Sequence, residues 1–332
     1  MKNFLSLALA LSLLLGCVTV AMTSCDNNSL YSEGDGELNV LCTIFVPFEL
    51  AREIGGDRVT VTLLQDNGAD LHNYTPTSAT LEALAKADVF LYIGGESDEK
   101  WVADAISASG NEDLLSICLM DYVDGIHAEL ENNWIDHDHD EHENVGDHEG
   151  HVHTEDEHVW TSVKNVIKMV DVIRKAFTQK DSKGATVYES NAKVYTSRLN
   201  ELDGKFEAAA KNATADLLVF ADRFPCVYLM HDYLIPYKAA FSGCSTEVNA
   251  SFETQISLIN AVKDNNLKYI ITIEGNNKSL AETISLETGC KILTINSMQS
   301  ITRSDIKAGA DYIEIMTQNL EIIREALSKC HL

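Results

Sequence analysis

Three hydrophobic patterns follow one another along this chain: nearly solid apolar runs, strict alternation, and apolar positions at helical spacing. Leu38 to Phe45 (LNVLCTIF) is a nearly solid run, as expected of a strand covered on both faces. Pro47 to Ile54 predicts a short helix, with proline in a first turn where its missing N–H costs nothing and Gly55-Gly56 as the stop. Arg58 to Leu64 (RVTVTLL) alternates and is rich in β-branched residues, a second strand. Asp66 to Pro76 predicts a loop from its Asn-Gly and proline, and Thr77 to Ala87 a helix with a threonine or serine cap. Strand Val89 to Ile93, helix Asp98 to Ala108 (containing Trp101) and strand Leu114 to Leu119 continue the alternation.

Further on, Val163, Val166, Ile167, Val170 and Ile173 place a helix over Ser162 to Phe177, and Ser182-Lys183-Gly184 interrupts it. Ala185 to Asn212 predicts one long helix, with Val187, Val194, Leu199, Leu202 and Phe206 along it. A second series follows: strand Val227 to Met230, a short strand near Ala239 to Phe241, helix Phe252 to Lys263, strand Tyr269 to Ile273, helix Ser279 to Thr288, strand Lys291 to Ile295 and helix Ala310 to Leu327. The expected fold is α/β, with two lobes, each a parallel β-sheet flanked by helices, joined by one long rigid α-helix. The expected divisions are a signal peptide over 1–25, a flexible tether over 26–37, an N-terminal lobe over 38–183, a linker helix over 184–212 and a C-terminal lobe over 213–332.

The first residues change where the protein is expected to work. Lys2, the apolar run from Phe4 to about Met22 and the polar break at Asp26 describe a secretory signal. Met22-Thr23-Ser24-Cys25 is similar to a bacterial lipoprotein processing site, and Leu14-Leu15-Gly16-Cys17 competes with it. Cys25 is preferred for lipidation because the chain after it (DNNSLYSEGDGE) has the composition of a tether. An uncleaved membrane anchor is the alternative reading, and both put the globular part outside the cytoplasm. Of the later cysteines, Cys42 and Cys118 fall in predicted core strands and read as buried thiols. Cys290 opens a predicted strand and Cys330 ends the last helix, which makes them a candidate disulfide in an exported protein.

Charge and histidine content add the chemistry. At 332 residues the chain can bury two cores, and its net charge of -26 argues against nucleic acid and anionic lipid surfaces as partners. Between Trp134 and Trp160, His137, His139, His142, His148, His151, His153 and His158 alternate with acids, and no lysine or arginine intervenes. Imidazole is the commonest zinc ligand, and surrounding carboxylates concentrate divalent cations, so the His/Asp/Glu-rich loop at 136–157 reads as an auxiliary metal-collecting tract. A solvated acidic linker is the plainer reading.

Outside the tract histidine is scarce. His72 follows a predicted strand, His231 ends another, and His158 opens an ordered segment after the long loop. Loops at the carboxyl ends of parallel strands meet at the crevice where such folds bind ligands. Three imidazoles there suit tetrahedral zinc, with a fourth position for a carboxylate or water. Each histidine alone also fits a hydrogen-bonded structural residue. Trp101, Trp134, Trp160 and Tyr74 read as packing residues, and Asp222-Arg223 as an ion pair or loop clamp.

Several stretches carry a resemblance. Gly68-Ala69-Asp70-Leu71-His72-Asn73-Tyr74-Thr75-Pro76 resembles the Gly-Ala-Asp-Pro-His-x-Tyr-x-Pro motif of solute-binding proteins of zinc and manganese ABC transporters, with leucine in place of the usual proline. Ala87 to Gly95, the histidine tract ending in His158-Val159-Trp160, Ala221 to Pro225, Met230 to Tyr233, Glu247 with Ser251 to Thr254, Ile273-Glu274 and Ala281 to Ile284 are similar to other parts of that family. The resemblance runs from about Leu38 to the C-terminus. It implies capture of zinc outside the cytoplasm and delivery to an integral-membrane permease with a cytoplasmic ATPase. The protein is then expected to be monomeric and to touch the membrane only through its lipid anchor.

Carried over residue by residue, His72, His158 and His231 are the implied metal ligands. Glu274 is the first candidate for the fourth, ahead of Asp232, Glu247 or water. Manganese-type members place a carboxylate where His231 stands and another after the last strand. Here that loop reads Ile295-Asn296-Ser297, so zinc (Zn2+) is expected over manganese (Mn2+) as the transported ion. The alternatives are a manganese-binding member, a zinc-dependent hydrolase built on three histidines, and a surface adhesin or metal buffer with no transporter. A non-enzymatic receptor is the expected reading.

Overall fold

The computed structural model describes residues 30–65, 74–123, 125–126, 155–243 and 250–328. The first sheet runs in the order β1-β3-β2-β4-β5. It comprises β1 (Tyr31–Glu33), β2 (Leu38–Cys42), β3 (Val59–Leu63), β4 (Val89–Tyr92) and β5 (Leu115–Cys118), all parallel except β1. Val40 lies opposite Val61 on one side and Val89 on the other. Helices α1 (Phe45–Gly55), α2 (Ser78–Lys86), α3 (Glu96–Glu99) and α4 (Val102–Ser109) make the crossovers. The near-solid apolar composition of β2 has its cause here. Val40 and Cys42 enter the core that α1 joins, while Leu41 faces Leu84, Trp101 and Val102 on the other side.

Helix α5 (Val163–Lys180) leads through a tight turn into α6 (Ala185–Lys211). Asp181 fastens that turn, accepting from Arg58 Nε and Tyr188 Oη, each at 2.7 Å. At 27 residues, α6 is about 40 Å long at 1.5 Å per residue. Its buried face (Tyr188, Tyr195, Leu199, Leu202, Phe206) belongs to a core that also holds Phe48 of the first lobe and Tyr312 of the second. The two lobes therefore share apolar packing along the connector.

The second sheet has the order β7-β6-β8-β9 and is parallel throughout. Its strands are β6 (Leu218–Phe224), β7 (Tyr237–Ser242), β8 (Tyr269–Ile273) and β9 (Lys291–Ile295). Between and after them come α7 (Val227–Asp232), α8 (Phe252–Asp264), α9 (Ser279–Thr288), α10 (Arg303–Lys307) and α11 (Tyr312–Ala326). Helices α8 and α9 cover one face through Leu258, Val262, Ala281 and Ile284. Among the described residues no helix is long and apolar enough to cross a membrane.

Three expectations need correction. Val227 to Met230 is helical, and the strand is Leu218–Phe224 just before it. Pro225 ends that strand, and Tyr228, Leu229 and Met230 bury one helical face, so an apolar run mistaken for a strand is a short helix. The segment expected as tether contains β1, paired antiparallel with β3 and packed through Tyr31 on Phe48. Three residues are too few to show alternation. The helix expected over Asp98 to Ala108 breaks at Trp101, where φ is -141°, into α3 and α4.

Candidate metal centre

Residues 155–161 run between the carboxyl ends of the two sheets and are tied to both. On the first-lobe side, the buried Glu157 carboxylate accepts from Ser97 N at 3.2 Å and from Ser97 Oγ at 2.6 Å, just beyond β4. Gly95 lets this approach happen: its φ is 77°, and a Cβ there would lie 2.8 Å from Glu157. On the second-lobe side, Tyr228 Oη donates to Asp156 O at 2.6 Å and Trp160 Nε1 donates to Ser297 O at 2.9 Å. Tyr312 Oη closes the arrangement by donating to Trp160 O at 2.9 Å.

His158 lies at the middle of this strap and is 0% exposed. Asp156 Oδ1 accepts from its backbone N at 2.8 Å and stands 2.9 Å from its Nδ1. A carboxylate on Nδ1 fixes the ring and selects Nε2 as the nitrogen able to ligate a metal. Trp160 meets the ring edge-on, with centroids 5.2 Å apart. Gly243, just past β7, is packed against the same ring: a Cβ on it would sit 2.8 Å from His158 Cε1 and 3.0 Å from Phe224 O.

Glu274 is the first residue beyond β8. Its Oε2 accepts from Ser297 N at 2.7 Å, and its Oε1 from Ser297 Oγ at 2.9 Å and Ser300 Oγ at 3.4 Å. Burial raises its pKa, while the bonds from Ser297 hold the rise back. The loop after β9, which has no acid, thus supplies hydrogen-bond donors to Glu274. Cys226 opens α7 as a buried thiol, its pKa raised first by burial and then by the Glu274 and Asp156 carboxylates.

His231 has a different setting from the one expected. It occupies the last turn of α7, exposed, where its carbonyl accepts from Leu234 N at 3.2 Å. Neighbouring Asp232 accepts from Ser162 Oγ, and Tyr233 stacks on Phe206 of α6 at 5.2 Å. Among the described residues, which include His158, His231 and Glu274, no three His, Cys, Asp or Glu side chains converge closely enough to hold a metal ion. His72 and Glu247 lie outside the described residues, in segments 66–73 and 244–249 that follow the ends of β3 and β7. His137, His139, His142, His148, His151, His153, Cys25 and Cys330 also lie outside them. Cys290 is buried, and its Sγ accepts from Thr288 Oγ1 at 3.0 Å.

In sequence, Asp156 and Glu157 are counted with the acidic loop and missed as anchors, although both are 2% exposed. An acid two residues before a histidine was the available signal, hidden by so many other acids. Ser97 and Gly243 carried none, because their roles depend on contacts distant in sequence.

Comparison with known proteins gives this geometry a setting. Zinc-binding lipoprotein AdcA of Streptococcus pneumoniae is 30% identical over 317 residues, covering 95% of this chain and 60% of AdcA. The chain therefore spans about 60% of the length of the first curated relatives it matches. The high-affinity zinc uptake system protein ZnuA of Bacillus subtilis is 27% identical over 310 residues, 92% of this chain and 93% of that protein. The crystal structure of the Zn(II)-bound ZnuA-like domain of S. pneumoniae AdcA superposes with a TM-score of 0.69 at 26% identity, over 89% of this chain and 100% of that one. The model of the zinc-uptake complex component A family, described as periplasmic, matches residues 40–326, a span that takes in β3, β4, β5 and most of β2 in the first sheet, all of the second, the connecting helix and the strap that carries His158; the chain belongs to that family.

Proposed function

We propose that this protein captures zinc outside the cytoplasm and hands it to a membrane permease driven by a cytoplasmic ATPase. The ion is held between the lobes by Nε2 of His158, the carboxylate of Glu274 and His72, which follows β3 in the sequence. Two imidazoles and a carboxylate form a known zinc donor set, whereas manganese favours more oxygen. The observation that carries the reading is the buried Asp156–His158 pair, an oriented imidazole at the junction of both lobes. The third implied imidazole, His231, lies exposed in the last turn of α7 and ranks behind these donors. Lipidation at Cys25 would keep the protein at the membrane as a monomer, and the tract histidines would add weak sites. A hydrolase would use Glu274 as its base, a role that a carboxylate bonded to the ion does not fill.

Calorimetric titration with zinc, then with manganese in competition, tests the proposal. One tight zinc site, absent in His158→Ala, is expected. Tight binding unchanged by His158→Ala, or a preference for manganese, overturns it. In cells, loss of the gene is expected to lower zinc accumulation under zinc limitation, and unchanged accumulation contradicts the delivery role.

A further inference from the structure

Asp222 lies near the end of β6, where that strand departs from a regular ladder. The register between β6 and β7 shifts between Phe220 and Arg223, and β6 meets β8 at Phe220 opposite Ile271. At the end of β8, where a regular ladder would offer a carbonyl, the Ile273 N–H donates to Asp222 Oδ2 at 3.0 Å. The other oxygen, Oδ1, accepts from Arg223 N at 2.8 Å and from Asn276 Nδ2 at 3.0 Å.

One carboxylate, 7% exposed, therefore grips the residue before Glu274 and the residue two after it. Between them Gly275 turns the chain with φ 75°, a value that disfavours other residues. From the opposite side, Glu274 N donates to Ile295 O of β9 at 3.0 Å. We infer that Asp222 is a positioning residue for Glu274: by holding Ile273 N and the Asn276 amide, it fixes the turn that presents the Glu274 carboxylate to the bound ion. This rests on the reading of Glu274 as a metal ligand. Asp222 itself faces donors at both oxygens, so an amide in its place would set an NH2 group against at least one of them.

A double-mutant cycle on zinc affinity tests the inference, using Asp222→Asn, Glu274→Gln, both together, and the milder Asn276→Ala. Asp222→Asn is expected to weaken zinc binding about tenfold, as outer-shell partners of ligands typically do. In the Glu274→Gln background it is expected to change affinity by less than about twofold, the scatter of independent sites. Asn276→Ala should show the same dependence on Glu274 with a smaller loss, and it decides the matter if Asp222→Asn fails to fold. Equal losses in both backgrounds, or a lowered melting temperature with unchanged zinc affinity, overturn the positioning role. Should Glu274→Gln alone leave zinc affinity intact, the ligand reading of Glu274 fails, and the role of Asp222 fails with it.

Discussion

His158 and His231 carry the same ring and have an aspartate nearby in sequence, yet the fold surrounds them differently. His158 is buried in a strap bonded to both lobes, with Asp156 on Nδ1, Trp160 edge-on and Gly243 packed against the ring. His231 lies at the end of a six-residue helix and is exposed, and its aspartate neighbour turns to Ser162. A metal ligand needs a deprotonated nitrogen held in place, so orientation and enclosure matter more than residue type. The comparison ranks residues that spacing alone treats as equals.

The sharpest way to break this ranking is to remove each ring. His158→Ala is expected to cost more than the roughly 10–100-fold lost with an outer-shell partner, and His231→Ala less than that range. Zinc titration of the two variants side by side checks it, and equal losses would put His231 level with His158. Next in size is Asp156→Asn, which keeps the shape and removes the charge on Nδ1. Zinc affinity should fall roughly 10–100-fold with the fold intact by circular dichroism, while an unchanged affinity means that Asp156 orients nothing.

The strap's packing gives a smaller effect. Tyr312→Phe leaves the buried carbonyl of Trp160 without its donor, so unfolding in denaturant should show a loss of about 1–3 kcal/mol. No measurable change would mean that the strap is held elsewhere. A last test, away from the strap, asks whether burial governs an acid as it does the two histidines. Glu49 is 0% exposed, with one oxygen 2.7 Å from Arg52. Burial pushes its pKa from the ordinary 4.5 to about 8, against the pull of Arg52. The folded state then holds this proton more tightly than the unfolded chain does. The resulting stability is complete below about pH 4.5 and falls away as pH rises through about 8. Glu49→Gln should flatten melting temperature against pH across that window, and parallel curves for the two proteins would contradict the shift.

Long, patterned elements were legible without coordinates. Strands β8 and β9 and helix α9 have the bounds that periodicity and glycine punctuation gave them, with Gly275 and Gly289 standing between them. Where a run was short and apolar, period could not separate helix from strand, as at Tyr228-Leu229-Met230. That ambiguity placed His231 at a strand end. At the proposed centre, Glu274 follows β8 directly, as the sequence predicts. Asp156, Ser97, Gly243 and Ser297 act through contacts between distant parts of the chain. The Trp160–Ser297 bond alone spans 137 residues, a separation that no local pattern reports.

One ion is proposed to sit where His158 faces the second lobe. Anomalous diffraction at the zinc edge from crystals of the zinc-loaded protein tests it directly. A peak is expected about 2.0–2.1 Å from His158 Nε2, the usual zinc–imidazole distance, with a Glu274 oxygen in its coordination sphere. A peak bonded to His231, with none within bonding distance of His158, would contradict it.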